Sequence, residues 1–293
     1  MNKFYGTGIA LVTPFQADGQ VDYDGLKNLI NYVIDGGVEY LVVLGTTGES
    51  VTLTSEEKKK VWAFTAEVNH GRLPLVAGIG GNNTAEVIEE LKQFNTNGYS
   101  AILSASPNYN KPTQEGIYQH YKAIAQNSPL PVMLYNVPGR TGSNISADTT
   151  IRLANDFKNI FGIKEASGNF EQFNHIARDK PEDFLLISGD DAVALPMMAI
   201  GGVGVISVIG NVLPRQLSDM IRIALKGDFK SAQKGHYNLV EFTRLMFVEG
   251  NPAGVKTALK QLGVCGDTLR LPLVQVSDNT AQQIIKETQK ITA

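Results

Sequence analysis

Residues 75–104 read LVAGIGGNNTAEVIEELKQFNTNGYSAILS. The segment opens on an apolar run at Leu75–Ile79. A cap-like Asn83-Thr-Ala-Glu86 follows, then Val87, Ile88, Leu91 and Phe94 at helical spacing, then a second apolar run at Ala101–Ser104. The runs are nearly continuous rather than alternating, as in strands buried on both faces of a parallel sheet. The capping-box spacing with its i, i+4, i+7 apolar face predicts the helix that joins them.

The same unit recurs on both sides. Further strands are expected at Gly8–Val12, Tyr40–Leu44, Pro131–Tyr135, Ile160–Glu165, Phe184–Ser188 and Gly204–Val208. Helical faces fall between them at Leu26, Leu29, Ile30, Val33 and Ile34, at Ile117, Tyr121 and Ile124, and at Phe173, Ile176 and Ala177. Another carries Leu217, Met220 and Ile221, and Thr54-Ser-Glu-Glu57 reads as a second capping box. Eight such units by about residue 225 predict an α/β fold, a TIM (β/α)8 barrel over residues 1–225, with a small C-terminal helical appendage over 226–293. An open doubly wound sheet is the rival, but the first loop, Gly8-Ile-Ala-Leu-Val-Thr-Pro14, holds no G-x-G-x-x-G.

Composition narrows the function. A net charge of -3 without a basic stripe argues against nucleic acid as a partner. The N-terminus lacks the apolar length and flanks of a signal peptide, and no run of about 18 apolar residues predicts a membrane span. A soluble cytoplasmic protein is the expectation. A single cysteine, Cys265, excludes a disulfide within the chain. The four histidines form no H-x-H or H-E-x-x-H arrangement, so no metal is expected. Asp190 and Asp191 end the seventh strand; they could hold a hard cation, but capping the next helix is the reading preferred here.

In a TIM barrel, chemistry sits at the C-terminal ends of the strands. Lys164 lies inside the apolar run Ile160-Phe-Gly-Ile-Lys-Glu165. A buried lysine is rare, and burial disfavours the ammonium, leaving an amine able to attack a carbonyl. The alternative is a strand-end lysine that reaches solvent or pairs with Glu165. Tyr135 closes the fifth strand and can pass a proton, or be a core tyrosine with a satisfied hydroxyl. Gly45-Thr-Thr-Gly-Glu49 suits an anion beside two hydroxyls, or is a plain turn with Thr46 or Thr47 as a cap. Arg140, on the Pro-Gly loop after Tyr135, offers a fork for a carboxylate, or a surface ion pair.

Taken together, Gly45-Thr-Thr-Gly-Glu-Ser50, Tyr109-Asn-Lys-Pro112, Leu134-Tyr-Asn-Val-Pro-Gly-Arg-Thr-Gly142, Gly162-Ile-Lys-Glu-Ala-Ser-Gly168 and Ser188-Gly-Asp-Asp191 resemble the 4-hydroxy-tetrahydrodipicolinate synthase (dihydrodipicolinate synthase) family over essentially the whole chain. The resemblance implies a Schiff-base lyase of lysine and diaminopimelate synthesis that condenses pyruvate with L-aspartate 4-semialdehyde without a cofactor. It also implies a homotetramer, a dimer of dimers. Lys164 matches the Schiff-base lysine. Tyr135, Thr46 and Tyr109 match a proton relay, with Tyr109 entering the partner's site. Thr47, Gly189 and Ile206 match the pyruvate pocket, and Arg140 the binder of the second substrate. Ser50, Asn82 and Glu86 match positions of an allosteric lysine site, where Ser55, Lys58 and Asn108 depart from the histidines and tyrosine of lysine-inhibited relatives. An N-acetylneuraminate lyase or 2-keto-3-deoxy-sugar-acid aldolase is the alternative enzyme, and a catalytically idle barrel that binds a partner is the alternative of another class.

Overall fold

The computed structural model describes residues 2–292. Eight parallel strands, β1 (Gly6–Ala10), β2 (Tyr40–Val43), β3 (Leu75–Gly78), β4 (Tyr99–Ala105), β5 (Val132–Asn136), β6 (Ile160–Glu165), β7 (Leu185–Ser188) and β8 (Gly204–Ser207), close in chain order. The doubly wound alternative is thereby overturned. The barrel helices are α1 (Tyr23–Asp35), α2 (Ser55–Asn69), α3 (Thr84–Gln93), α4 (Gln114–Asn127), α5 (Pro138–Thr141), α6 (Ala147–Asp156), α7 (Phe170–Asp179), α8 (Ala194–Ala199) and α9 (Pro214–Leu225). A C-terminal helical extension adds α10 (Phe229–Phe247), α11 (Ala253–Gln261) and α12 (Asp278–Thr292). Among the described residues, no helix is long and apolar enough to cross a membrane.

Closure brings β1 against β8, with Gly6 opposite Gly204. A Cβ on Gly204, at φ +150, would run into the carbonyl of Gly6, so only glycine lets these backbones meet. Two apolar layers result. The larger lies between strands and helices. The smaller fills the barrel, with Phe4, Tyr40, Val76, Met133, Phe161 and Ile206 among its members. Phe4 stacks on Phe161 at 5.0 Å and meets Tyr40 edge-on at 5.5 Å, plugging the N-terminal end. With that end filled, the C-terminal ends of the strands are the face left for a site.

The predicted caps fare differently. Thr54 and Glu57 form a complete capping box. Asn83 caps α3 through Ala85 N–H, without the reciprocal bond from Glu86 that the spacing suggested. Asp190 caps the turn after β7 through Ala192 N–H. Asp191 is no cap: its Oδ2 accepts from Val208 and Ile209 N–H, at 3.0 and 3.2 Å, tying the β7 loop to the β8 loop.

Candidate active site

Parallel pairing sets Tyr135 of β5 beside Lys164 of β6. Both side chains are buried, and Lys164 Nζ lies 4.1 Å from the centre of the Tyr135 ring. Glu165 does not pair with the lysine. Successive strand residues face opposite sides, and its carboxylate accepts from Asn136 Nδ2 at 3.0 Å, Gln172 Nε2 at 2.8 Å and Ser167 N–H at 2.8 Å. Burial pushes the Glu165 carboxyl up, and the hydrogen bonds from these groups counter it. Asn136 in turn accepts from Ile145 N–H at 2.9 Å, and Asn144 donates to Gln172 at 2.9 Å. The strand that carries Lys164 and the loop after α5, which carries Arg140, are thus joined by one buried polar network.

Gly189 follows β7 and packs on the lysine stem: a Cβ there would stand 3.0 Å from both Cγ and Cε of Lys164. Ile206 of β8 is buried in the same inner layer as Tyr135. Leu44 and Glu49, both in the left-handed region at φ 59 and 52, turn the chain sharply after β2 around the short helix Thr46–Gly48. Thr47 is buried there, and its Oγ1 accepts from Asn251 Nδ2 at 3.0 Å.

Two predicted residues stay outside this cluster. Arg140, on α5, is exposed. Tyr109 is 87% exposed at φ 69, and its N–H donates to Thr141 O at 3.1 Å, fastening its loop to the end of α5. The six candidate allosteric residues divide. Ser55, Lys58 and Glu86 line a cavity of about 960 Å³ between α2 and α3, together with Trp62, Glu90 and Phe94. Lys58 Nζ reaches Glu90 at 3.4 Å. Asn82 instead donates to Asn108 O at 3.2 Å beside the Tyr109 loop, and Ser50 sits in the turn Ser50–Thr52 after β2.

Sequence reasoning passed over three features. One is Asn251. Another is the Glu49–Lys256 ion pair, fully buried with Nζ 2.5 Å from Oε1. The third is the network around Glu165. Lys256 left a trace: it is the one charge in Ala253-Gly-Val-Lys-Thr-Ala-Leu259, the same mark that singled out Lys164.

Comparison with known proteins identifies the chain's relatives. The family described as dihydrodipicolinate synthetase matches residues 3–291. A 4-hydroxy-tetrahydrodipicolinate synthase of Flavobacterium psychrophilum is 55% identical over 284 residues, covering 97% of each chain. The solved dihydrodipicolinate synthase of Aquifex aeolicus is 42% identical with a TM-score of 0.96, covering 99% of this chain and 98% of that one. That of Cyanidioschyzon merolae, solved with lysine bound, is 39% identical with a TM-score of 0.95, covering 99% of each chain. The chain belongs to the dihydrodipicolinate synthetase family.

Proposed function

We propose that Lys164 is the covalent centre of this protein's reaction. That reaction is the Schiff-base condensation of pyruvate with L-aspartate 4-semialdehyde, giving (2S,4S)-4-hydroxy-2,3,4,5-tetrahydrodipicolinate and water, in lysine and diaminopimelate synthesis, with no external cofactor. The observation that carries the residue assignment is the buried amine of Lys164 beside Tyr135 at the open end of the barrel.

The Lys164 amine adds to the keto carbon of pyruvate, and loss of water leaves an imine. The imine accepts electrons, so a methyl proton departs and an enamine forms. The enamine carbon attacks the aldehyde, whose oxygen takes up a proton. The substrate's own amine then adds to the imine carbon and expels Lys164, closing the ring. Tyr135, with Thr46 and Tyr109, moves the protons. Thr47 and the backbone at Gly189 and Ile206 hold the pyruvate end, and Arg140 takes the second carboxylate.

Tyr109 projects out of its own subunit, so the proposal includes a homotetramer, built as a dimer of dimers, in which each subunit lends this tyrosine to its partner. The division into a barrel over 1–225 and a helical region over 226–293 belongs to the same reading.

Side-by-side assays test the substrate. Condensation with the semialdehyde is expected to outpace cleavage of N-acetylneuraminate or a 2-keto-3-deoxy-sugar acid, and the opposite order would overturn the assignment.

A further inference from the structure

We infer that Asn251, from the segment between α10 and α11, is a positioning residue for pyruvate: it orients the Thr47 hydroxyl so that its proton is free for the substrate carboxylate. The inference rests on the reading of Thr47 as the carboxylate binder.

A threonine hydroxyl has one proton to give and two lone pairs to receive. Asn251 Nδ2 occupies a lone pair of Thr47 Oγ1 at 3.0 Å. The proton is then turned away from Asn251, where a carboxylate can take it. Without that partner the hydroxyl can rotate and give its proton to a nearby backbone carbonyl, as threonines in tight turns readily do. Asn251 is itself buried, and its Oδ1 has no partner among the described residues. The bond to Thr47 is thus the polar contact its side chain makes, so the amide is not retained to satisfy some other group.

A second attachment secures the same turn from the helix that follows that segment. Lys256 Nζ on α11 pairs with Glu49 and donates to Thr268 O at 2.9 Å, and Glu49 Oε2 accepts from Arg270 N–H at 3.2 Å. The Arg270 guanidinium grips both oxygens of Glu57, at 2.5 and 2.9 Å. Thr13 Oγ1 donates to Gly48 O at 2.7 Å. A buried ion pair adds little stability over an apolar pair of the same size. Its use here, at a left-handed non-glycine residue two positions from Thr47, fits a device that sets geometry.

The test is the pyruvate dependence of imine formation, trapped with borohydride, together with steady-state rates. For Asn251→Ala the pyruvate KM is expected to rise about tenfold, the loss of one well-placed hydrogen bond. The KM for the semialdehyde and kcat should move far less, a split that general loosening of the fold would not produce. The double variant Thr47→Val/Asn251→Ala should bind pyruvate no worse than Thr47→Val alone. Should Asn251→Ala not fold, the near-isosteric Asn251→Asp serves: its carboxylate draws the Thr47 proton back and opposes the substrate's charge, so the same KM must rise. A wild-type pyruvate KM in either folded variant, or effects that multiply in the double variant, would overturn the inference. If the wild-type protein itself traps no pyruvate, the assignment of Lys164 fails instead, so the two failures are distinct.

Discussion

Lys164 is held by packing more than by bonds of its own. Gly189 lies against its stem with no room for a methyl group, and Tyr135 covers its amine. Gly189→Ala should therefore displace the amine, because overpacking forces side chains off their preferred rotamers. The expected result is a kcat lowered at least about tenfold, since a misplacement of about an ångström is enough for that, with Tm changed little. A variant with wild-type kcat would show that Gly189 does not set the position of the lysine. Glu165 makes the complementary case. Glu165→Ala strips partners from Asn136, Gln172 and Ser167 N–H, and should cost about 2–3 kcal/mol in denaturant unfolding. A loss below about 0.5 kcal/mol, the range of ordinary surface changes, would mean that the network is not a structural tie. At this scale Lys164 and Tyr135 were legible because each interrupts an apolar strand with a polar group at its end. The partners of Glu165 were not, because Asn136, Asn144 and Gln172 are unremarkable in sequence and meet only when loop and helix close over the strand.

Elements were legible to the extent that burial is one-dimensional. All eight strands lie within two residues of their predicted ends, since a strand buried on both faces announces itself as an apolar run. Helix α6 was not singled out: Ser146 caps it through Thr149 N–H, without an acidic third position, and its buried face mixes Thr149 and Thr150 with Leu153. Ties between elements were mostly invisible, the lone charge of Lys256 apart, and two of them yield predictions. Burial pushes the Asp191 carboxyl up to about 6 despite its hydrogen bonds to the β8 loop. A carboxyl raised in the folded state contributes stability that is complete below its ordinary value of about 3.9 and lost as pH rises through about 6, here about 3 kcal/mol. Asp191→Asn stays neutral, so the wild type should lose stability relative to it between about pH 4 and 6.5. Melting curves of both across that window check this, and a constant difference contradicts it. Lys256→Met leaves Glu49 buried without a counter-charge and should cost about 3–5 kcal/mol, much of it recovered in Glu49→Leu/Lys256→Met. We propose that free lysine inhibits weakly, because Lys58 and Asn108 stand where the resemblance places a histidine and a tyrosine in lysine-inhibited relatives, adding a like charge and removing an aromatic ring. Initial rates should stay near their starting value with lysine in the millimolar range, and strong inhibition at sub-millimolar lysine would refute this. Lys58→His/Asn108→Tyr should gain sensitivity.

At the scale of the whole molecule, Tyr109 stands 87% exposed on a loop fastened to α5. Mixing inactive Lys164→Ala with inactive Tyr109→Phe should restore part of the activity after subunit exchange, because one site in a mixed dimer then carries neither lesion. Exchange without recovery would assign each tyrosine to its own chain. The overall architecture followed from counting strand–helix units, and family motifs supplied the candidate site. The bond from Asn251 to Thr47 had no such sign, since the two lie 204 residues apart. Everything proposed for function depends on the amine of Lys164 forming a covalent bond to pyruvate. The direct measurement is intact mass after incubation with pyruvate and sodium borohydride, followed by peptide mapping. A single reduced pyruvate adduct on Lys164, absent in Lys164→Ala, is the result expected. No adduct on the folded wild-type protein, or an adduct that persists in Lys164→Ala, would contradict the account.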